Sequence, residues 1–213
     1  MNAPMLGIII PARNEEENIE KVLSNLFSLN LQKTSIFVID NNSTDQTSEI
    51  AKNLGVNVIK CEEIGYQSAL SKGFAELIKY NYKKFLIIDG DNEIGIESIR
   101  KFIQAMDSFE MIVGYRSKIK RFGERIVNKY FDKKFGIKDL MCGLKYGHID
   151  FYNENNNLEF GIDFFKYEKI SRNKIHNIPI DINLREETRL GNYYIVTIKL
   201  VTNLIKYIFK KNR

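Results

Sequence analysis

Along the first half of the chain, short apolar runs alternate with longer stretches in which apolar residues return every three or four positions. The runs are LGIII (6–10), SIFVI (35–39), VNVI (56–59), KFLII (84–88) and MIVG (111–114), all of strand length. Between the first two, Ile19, Val22, Leu23, Leu26 and Phe27 share one helical face. Helix-length segments separating strand-length runs predict βα repeats, and hence a mainly parallel sheet flanked by helices. In such sheets ligands sit outside the carboxyl ends of the strands, where loops and helix N-termini meet.

Beyond residue 115 the alternation gives way to basic amphipathic helices, a possible strand pair around GLKYGHIDFYN, the polar loop NENNN and a strand-like KIHNIPIDINL. There is no internal repeat and no linker rich in proline, glycine or serine. A chain of 213 residues that is 44% hydrophobic suits one α/β domain with a substantial core. Its expected parts are residues 1–115, 116–192 and an amphipathic C-terminal helix over 193–213.

Three of the predicted strands run into polar residues: Pro11, Arg13, Asn14 and Glu15; Asp40, Asn41 and Asn42; Asp89, Gly90 and Asp91. Taken alone, NNSTD after the second strand reads as helix capping. Taken together, the three ends put carboxylates and amides on one rim of the sheet, which capping does not explain. Two adjacent carboxylates need a cation, a shared proton or donors between them. Mg2+ or Mn2+ held by one or two carboxylates and by phosphate oxygens meets that need, and Gly90 lets the backbone turn closely.

The segments IIIPARNEEENI, VIDNNSTDQTSEIA, GYQSALSKGFAEL and FLIIDGDNEIGIESI resemble, in order and spacing, the motifs of family 2 glycosyltransferases of the GT-A (Rossmann-like) fold. The following IVGYRS, basic helix and GIKDLMCGLK resemble the branch that makes polyprenyl phosphate sugars, the dolichyl-phosphate mannose synthase type. The likeness covers roughly residues 5–190. It implies that Asp91 and Asp89, as the DXD motif, hold a divalent metal on a nucleotide-diphosphate sugar. It further implies that Pro11, Glu15 and Asp40 wall the nucleotide, that Gly65 begins a loop and helix over it, and that Arg116, Arg121 and Arg125 bind the acceptor phosphate and donor diphosphate. The sequence also departs from the family. Asn41 and Asn42 replace an aspartate and a glycine, Arg13 replaces a common tyrosine, and NEIGIES follows the acidic motif. Glu93 is then an extra metal ligand or a helix N-terminal charge, and Lys72 a phosphate contact or a solvated lysine.

Charge sharpens the second half. Between Arg116 and Lys138 lie nine Lys or Arg against Glu124 and Asp132, more than the whole chain's excess of +5. Arg121, Arg125, Lys129 and Lys133 fall on one helical stripe, beside Phe122, Ile126 and Tyr130. In the C-terminal segment Ile198, Val201, Leu204, Ile205 and Ile208 share a side, flanked by lysines. That pattern predicts a helix at an anionic membrane interface, a helix docked on its own domain, or a dimer contact. No stretch is long and apolar enough to span a bilayer. The N-terminus lacks a basic leader, and Cys61 and Cys142 lack metal or disulfide spacing, so a cytoplasmic protein, peripheral on the membrane, is expected. His148 and His176 have no ligands at metal spacing and read as structural. No nucleic-acid-reading motif accompanies the basic stretch.

The expected reaction is inverting, metal-dependent sugar transfer to a polyprenyl phosphate, whose anionic oxygen attacks without a general base. A saccharide or protein acceptor would need a base, for which Asp139, Glu159 and Asp163 are candidates. A noncatalytic basic binding protein is the remaining alternative. Arg185 and Arg189 precede a segment that closes over the site in the resembling family.

Overall fold

The computed structural model describes residues 6–119, 121–182 and 193–211. Their strands form one sheet in the order β3-β2-β1-β4-β6-β5-β7. β1 (Leu6–Ala12), β2 (Ile36–Asp40), β3 (Asn57–Lys60) and β4 (Lys84–Ile87) are mutually parallel. β7 (Ile175–Ile180) runs parallel to β5 (Met111–Arg116), and β6 (Lys145–His148) lies antiparallel between β4 and β5. All five runs expected in the first half are strands.

The pair expected around GLKYGHIDFYN is instead the single strand β6, which finds both partners far away in sequence. Past it, one isolated bridge joins Tyr152 to Phe165.

The continuous apolar strands reflect a sheet covered on both faces. Ile8, Ile10, Val38, Leu86 and Ile112 meet α1 (Ile19–Ser28), α2 (Thr47–Asn53) and α4 (Ile96–Ala105). The alternate residues Ile9, Ile39, Phe85, Ile87 and Val113 meet α3 (Tyr66–Lys79), α5 (Phe122–Phe135) and α6 (Tyr193–Lys211). On that second face Phe74 stacks on Tyr152 at 4.2 Å and Phe85 on Phe165 at 5.2 Å, so the segment after β6 folds over α3.

Two helical faces differ from expectation. α5 buries Gly123, Glu124, Val127, Asn128, Phe131 and Phe135, while Phe122 is 53% exposed. The helix is rotated toward Glu124 and Asn128 because these side chains reach a buried ionic cluster described below. Gly123 permits a close crossing, since a Cβ there would lie 2.9 Å from the Thr197 Cα of α6. α6 in turn splits the expected apolar side. Val196, Leu200, Leu204 and Tyr207 are buried against the domain, whereas Tyr194, Ile195, Ile198, Ile205 and Phe209 face outward. Four such burials are worth roughly 6–12 kcal/mol together, so α6 is a core element as well as a surface.

Candidate active site

The ends of β1, β2 and β4 are level. Ala12 pairs with Asp40, the Asn41 amide donates to the Ala12 carbonyl at 2.8 Å, and the Gly90 amide donates to the Pro11 carbonyl at 3.2 Å. A Cβ on Gly90 would stand 3.1 Å from that same carbonyl, so a side chain there would be tightly crowded against β1. Each of the three loops leaves its strand through an asparagine in the left-handed region: Asn14 (φ 53°), Asn42 (φ 58°) and Asn92 (φ 57°). Asparagine tolerates this conformation better than other non-glycine residues. It therefore stands at position 42 where glycine was expected.

Cross-loop hydrogen bonds lock the rim. The Thr44 amide donates to Asn14 Oδ1 at 2.9 Å, the buried Glu15 donates its amide to Thr47 Oγ1 at 2.7 Å, and the Gln46 amide donates to Glu16 Oε2 at 3.0 Å. Asp40 is buried and accepts from the Ser43 amide at 3.0 Å and the Ser48 hydroxyl at 2.6 Å, which ties the 40–43 turn to the start of α2. Arg13 is exposed at the edge. Asn41 holds the loop that follows β3. Its Nδ2 donates to the Glu63 carbonyl at 2.6 Å and its Oδ1 accepts from the Gly65 amide at 2.7 Å. A carboxylate could not make the first bond, so the departure from aspartate fixes the loop before α3.

Asp89 and Asp91 project from the mouth of β4. Burial, and then the charge of Asp91, push the Asp89 carboxyl up to about 6, although Tyr66 and Lys145 pull against that rise. The Tyr66 hydroxyl donates to Asp89 Oδ1 at 2.9 Å. Asp91 Oδ1 accepts from the Glu93 amide at 3.1 Å, closing the turn. Lys145 of β6 is buried, its ammonium pKa lowered chiefly by burial, and its Nζ donates to the Cys142 carbonyl. Among the described residues no three His, Cys, Asp or Glu side chains converge to hold a metal. Two carboxylates fit a hard cation only when donor oxygens and water complete its shell, which is the Mg2+ habit.

Tyr66 and Lys145 were not identified from sequence. A lysine pointing inward on a strand, as in GLKYG, was the available signal.

Two of the three arginines have carboxylate partners within the chain. Arg116 donates from Nε to Asp139 Oδ2 at 2.7 Å, and from Nη2 to Asp139 Oδ1 and Glu124 Oε2, each at 2.9 Å. Arg121 donates to Glu124 Oε1 at 3.0 Å. Asp139 is fully buried and also accepts from Asn128 and from the amides of Arg116 and Met141. Two arginines and two carboxylates thus form a neutral cluster beside the exposed Arg125. Arg125 remains exposed, its guanidinium 5.6 Å from the Phe122 ring centre.

The other candidates fall away from the rim chemistry. Lys72 is an exposed helix lysine. Asp163 is buried and accepts from the amides of Asn157 and Leu158 and from Lys210. Glu159 pairs at the surface with Lys199 at 3.5 Å. His176 stacks on Phe109, His148 lies against Phe151, and both cysteines are buried and unbridged. A cavity of about 350 Å³ between Asp163, Lys166, Lys169 and Tyr207 shares no residue with the rim. Arg185 and Arg189 lie outside the described residues.

Residues 7–167 match the Glycosyl transferase family 2 profile. The chain belongs to this family. It is 31% identical over 113 residues to Protein RfbJ of Shigella flexneri, an alignment covering 52% of this chain and 84% of that one. It is 33% identical over 118 residues to a dolichol-phosphate mannosyltransferase of Pyrococcus furiosus, covering 52% of this chain and 33% of that enzyme. The fold is similar to glucosyl-3-phosphoglycerate synthase of Mycobacterium tuberculosis, solved with Mn2+ and uridine-diphosphate-glucose. There the TM-score is 0.76 at 15% identity, over 95% of this chain and 78% of that one. The chain is therefore a family 2 glycosyltransferase with the GT-A architecture that its motifs led us to expect, and the stitched rim lies at the carboxyl ends of the strands, where open α/β sheets generally bind ligands.

Proposed function

We propose that this glycosyltransferase moves a sugar, with inversion, from a nucleotide-diphosphate sugar to a polyprenyl phosphate at the cytoplasmic face of a membrane. The observation that carries the donor half is the Asp89–Asp91 pair, held at the strand mouth with Asp89 raised to about 6 by burial and like charge. Such a pair suits Mg2+ or Mn2+, and the Mn2+ and uridine-diphosphate-glucose in the Mycobacterium structure support that reading. A divalent ion there supplies positive charge to the departing diphosphate. Pro11, Arg13, Asn14, Glu15, Asp40, Asn41, Asn42 and Gly65 line the nucleotide side.

The committed carboxylates support a phosphate acceptor. A sugar hydroxyl needs a general base, yet Asp139 and Asp163 are buried acceptors of several hydrogen bonds and Glu159 is tied to a surface lysine. An anionic phosphate oxygen needs none. Arg125 is the exposed cation assigned to it, with Arg121 and Arg116 behind. The name of the Pyrococcus relative favours a lipid phosphate.

So does α6. Ile195, Ile198, Ile205 and Phe209 are 48–68% exposed on one face, and Lys199, Lys206 and Lys210 follow its border. An apolar stripe edged by lysines suits an anionic bilayer surface. Among the described residues no helix is long and apolar enough to cross a membrane.

The test offers undecaprenyl phosphate, dolichyl phosphate, 3-phosphoglycerate and free saccharides against UDP- and GDP-sugars. Turnover with the lipid phosphates is expected. Turnover restricted to phosphoglycerate or saccharides would overturn the acceptor, and absence of turnover and of nucleotide binding would overturn the enzyme reading. Ile198→Ser with Ile205→Ser should release the folded protein from anionic vesicles; unchanged vesicle sedimentation would remove the membrane contact.

A further inference from the structure

Asp89 is gripped from two sides by residues distant in sequence. On one side the Tyr66 hydroxyl donates to Oδ1 at 2.9 Å. On the other, the carboxylate fills the space that a side chain at Gly143 would take: a Cβ built there would stand 1.7 Å from Oδ2 and 2.2 Å from Cγ. Any other residue at position 143 must displace the Asp89 side chain or the segment that leads into β6.

The phenol is itself held in place. Tyr66 opens α3 directly after Gly65, whose φ of 152° is one that side-chain-bearing residues rarely adopt. The Gly65 amide is bonded to Asn41 Oδ1, and Asn41 Nδ2 holds the Glu63 carbonyl. A continuous series therefore runs from the end of β2 through Asn41, the 63–65 loop and Tyr66 to Asp89 at the end of β4. A neutral phenol donates to a carboxylate without opposing a cation on its remaining lone pairs. Hydrogen bonds of this kind to ligating carboxylates orient them and typically change metal affinity by about 10–100-fold.

We propose that Tyr66 and Gly143 are positioning residues for the acidic site, fixing Oδ1 and Oδ2 of Asp89 so that one carboxylate orientation meets the divalent cation. The series beginning at Asn41 links that orientation to the nucleotide-side loop. This rests on the reading of Asp89 and Asp91 as metal ligands.

The test titrates Mn2+, with UDP or GDP present, into wild type, Tyr66→Phe and Gly143→Ala, and follows free Mn2+ by electron paramagnetic resonance. Tyr66→Phe should bind Mn2+ about tenfold more weakly, with an unchanged circular dichroism melt. In turnover it should raise the Mn2+ concentration for half-maximal rate and leave the rate at saturating Mn2+ near wild type. Gly143→Ala should lose more. If wild type binds no Mn2+ with either nucleotide, the metal reading itself fails. If wild type binds and Tyr66→Phe binds within twofold of it, the positioning role fails and the metal reading stands. A Tyr66→Phe protein that is already unfolded at the assay temperature would also overturn the proposal, because the phenol would then be supporting the fold.

Discussion

Two acidic pairs lie near the same rim and are handled in opposite ways. Asp139 and Glu124 are almost fully buried, and Arg116 and Arg121 meet them at 2.7–3.0 Å. Asp89, beside Asp91, has a phenol on one oxygen, Gly143 against the other and a lysine whose own charge burial disfavours. The first pair is neutralised within the chain and becomes structure. In the second, burial and the charge of Asp91 raise the Asp89 carboxyl to about 6, so a proton or a cation at the pair would relieve the repulsion. Carboxylate count alone does not separate them; the identity of the countercharge does.

The largest expected effect breaks the neutralised pair. Asp139→Ala leaves Arg116 without its main partner and should cost about 3–5 kcal/mol, read as a lower urea midpoint. A loss under about 1 kcal/mol would show the cluster to be dispensable. Next, Asp91→Ala should lower turnover roughly 100- to 1,000-fold while leaving the melt unchanged. Wild-type turnover would reject its place at the diphosphate.

The third prediction concerns pH in metal-free protein. Asp89 binds its proton more tightly when folded, at about 6, than at its ordinary 3.8. Its contribution is therefore fully present below about pH 4 and is lost as pH rises through about 6, by up to about 3 kcal/mol. Asp89→Asn should remove that slope, making the variant more stable than wild type at pH 7 although inactive. Parallel urea melts of both proteins at pH 4.5 and 7 in EDTA would contradict this if their slopes coincide. The smallest effect is expected at the surface. The Glu159–Lys199 partners are 57% and 53% exposed, so Glu159→Gln should change stability by less than about 0.5 kcal/mol and leave turnover intact. A large loss of turnover would restore Glu159 as a general base and a hydroxyl acceptor with it.

How much of this was legible depends on how far apart the interacting residues are. β1 to β4 and their helices were readable because each βα unit carries its own periodicity and its own apolar faces. The acidic pair was readable because Asp89 and Asp91 follow their strand directly. β6 was not, because its partners are β4 and β5 rather than a hairpin neighbour. The faces of α5 and α6 were legible only in part for a related reason. Hydropathy put Phe122 in one stripe with Ile126 and Tyr130 and grouped Ile198 with Leu204, but Glu124 and Asn128 turn α5 toward Asp139, and α6 follows where Gly123 admits Thr197.

The sequence by itself determined the layered α/β architecture, the rim at the strand ends and the presence there of two like charges, since these follow from local pattern and strand polarity. Only the tertiary structure decided which carboxylates are neutralised internally, that Asn41 serves the loop before α3, and that Tyr66 and Gly143 enclose Asp89. The physical reason is that hydrogen bonds and ion pairs act over about 3 Å, and Asn41 and Gly65, Tyr66 and Asp89, and Arg116 and Asp139 each lie more than twenty positions apart.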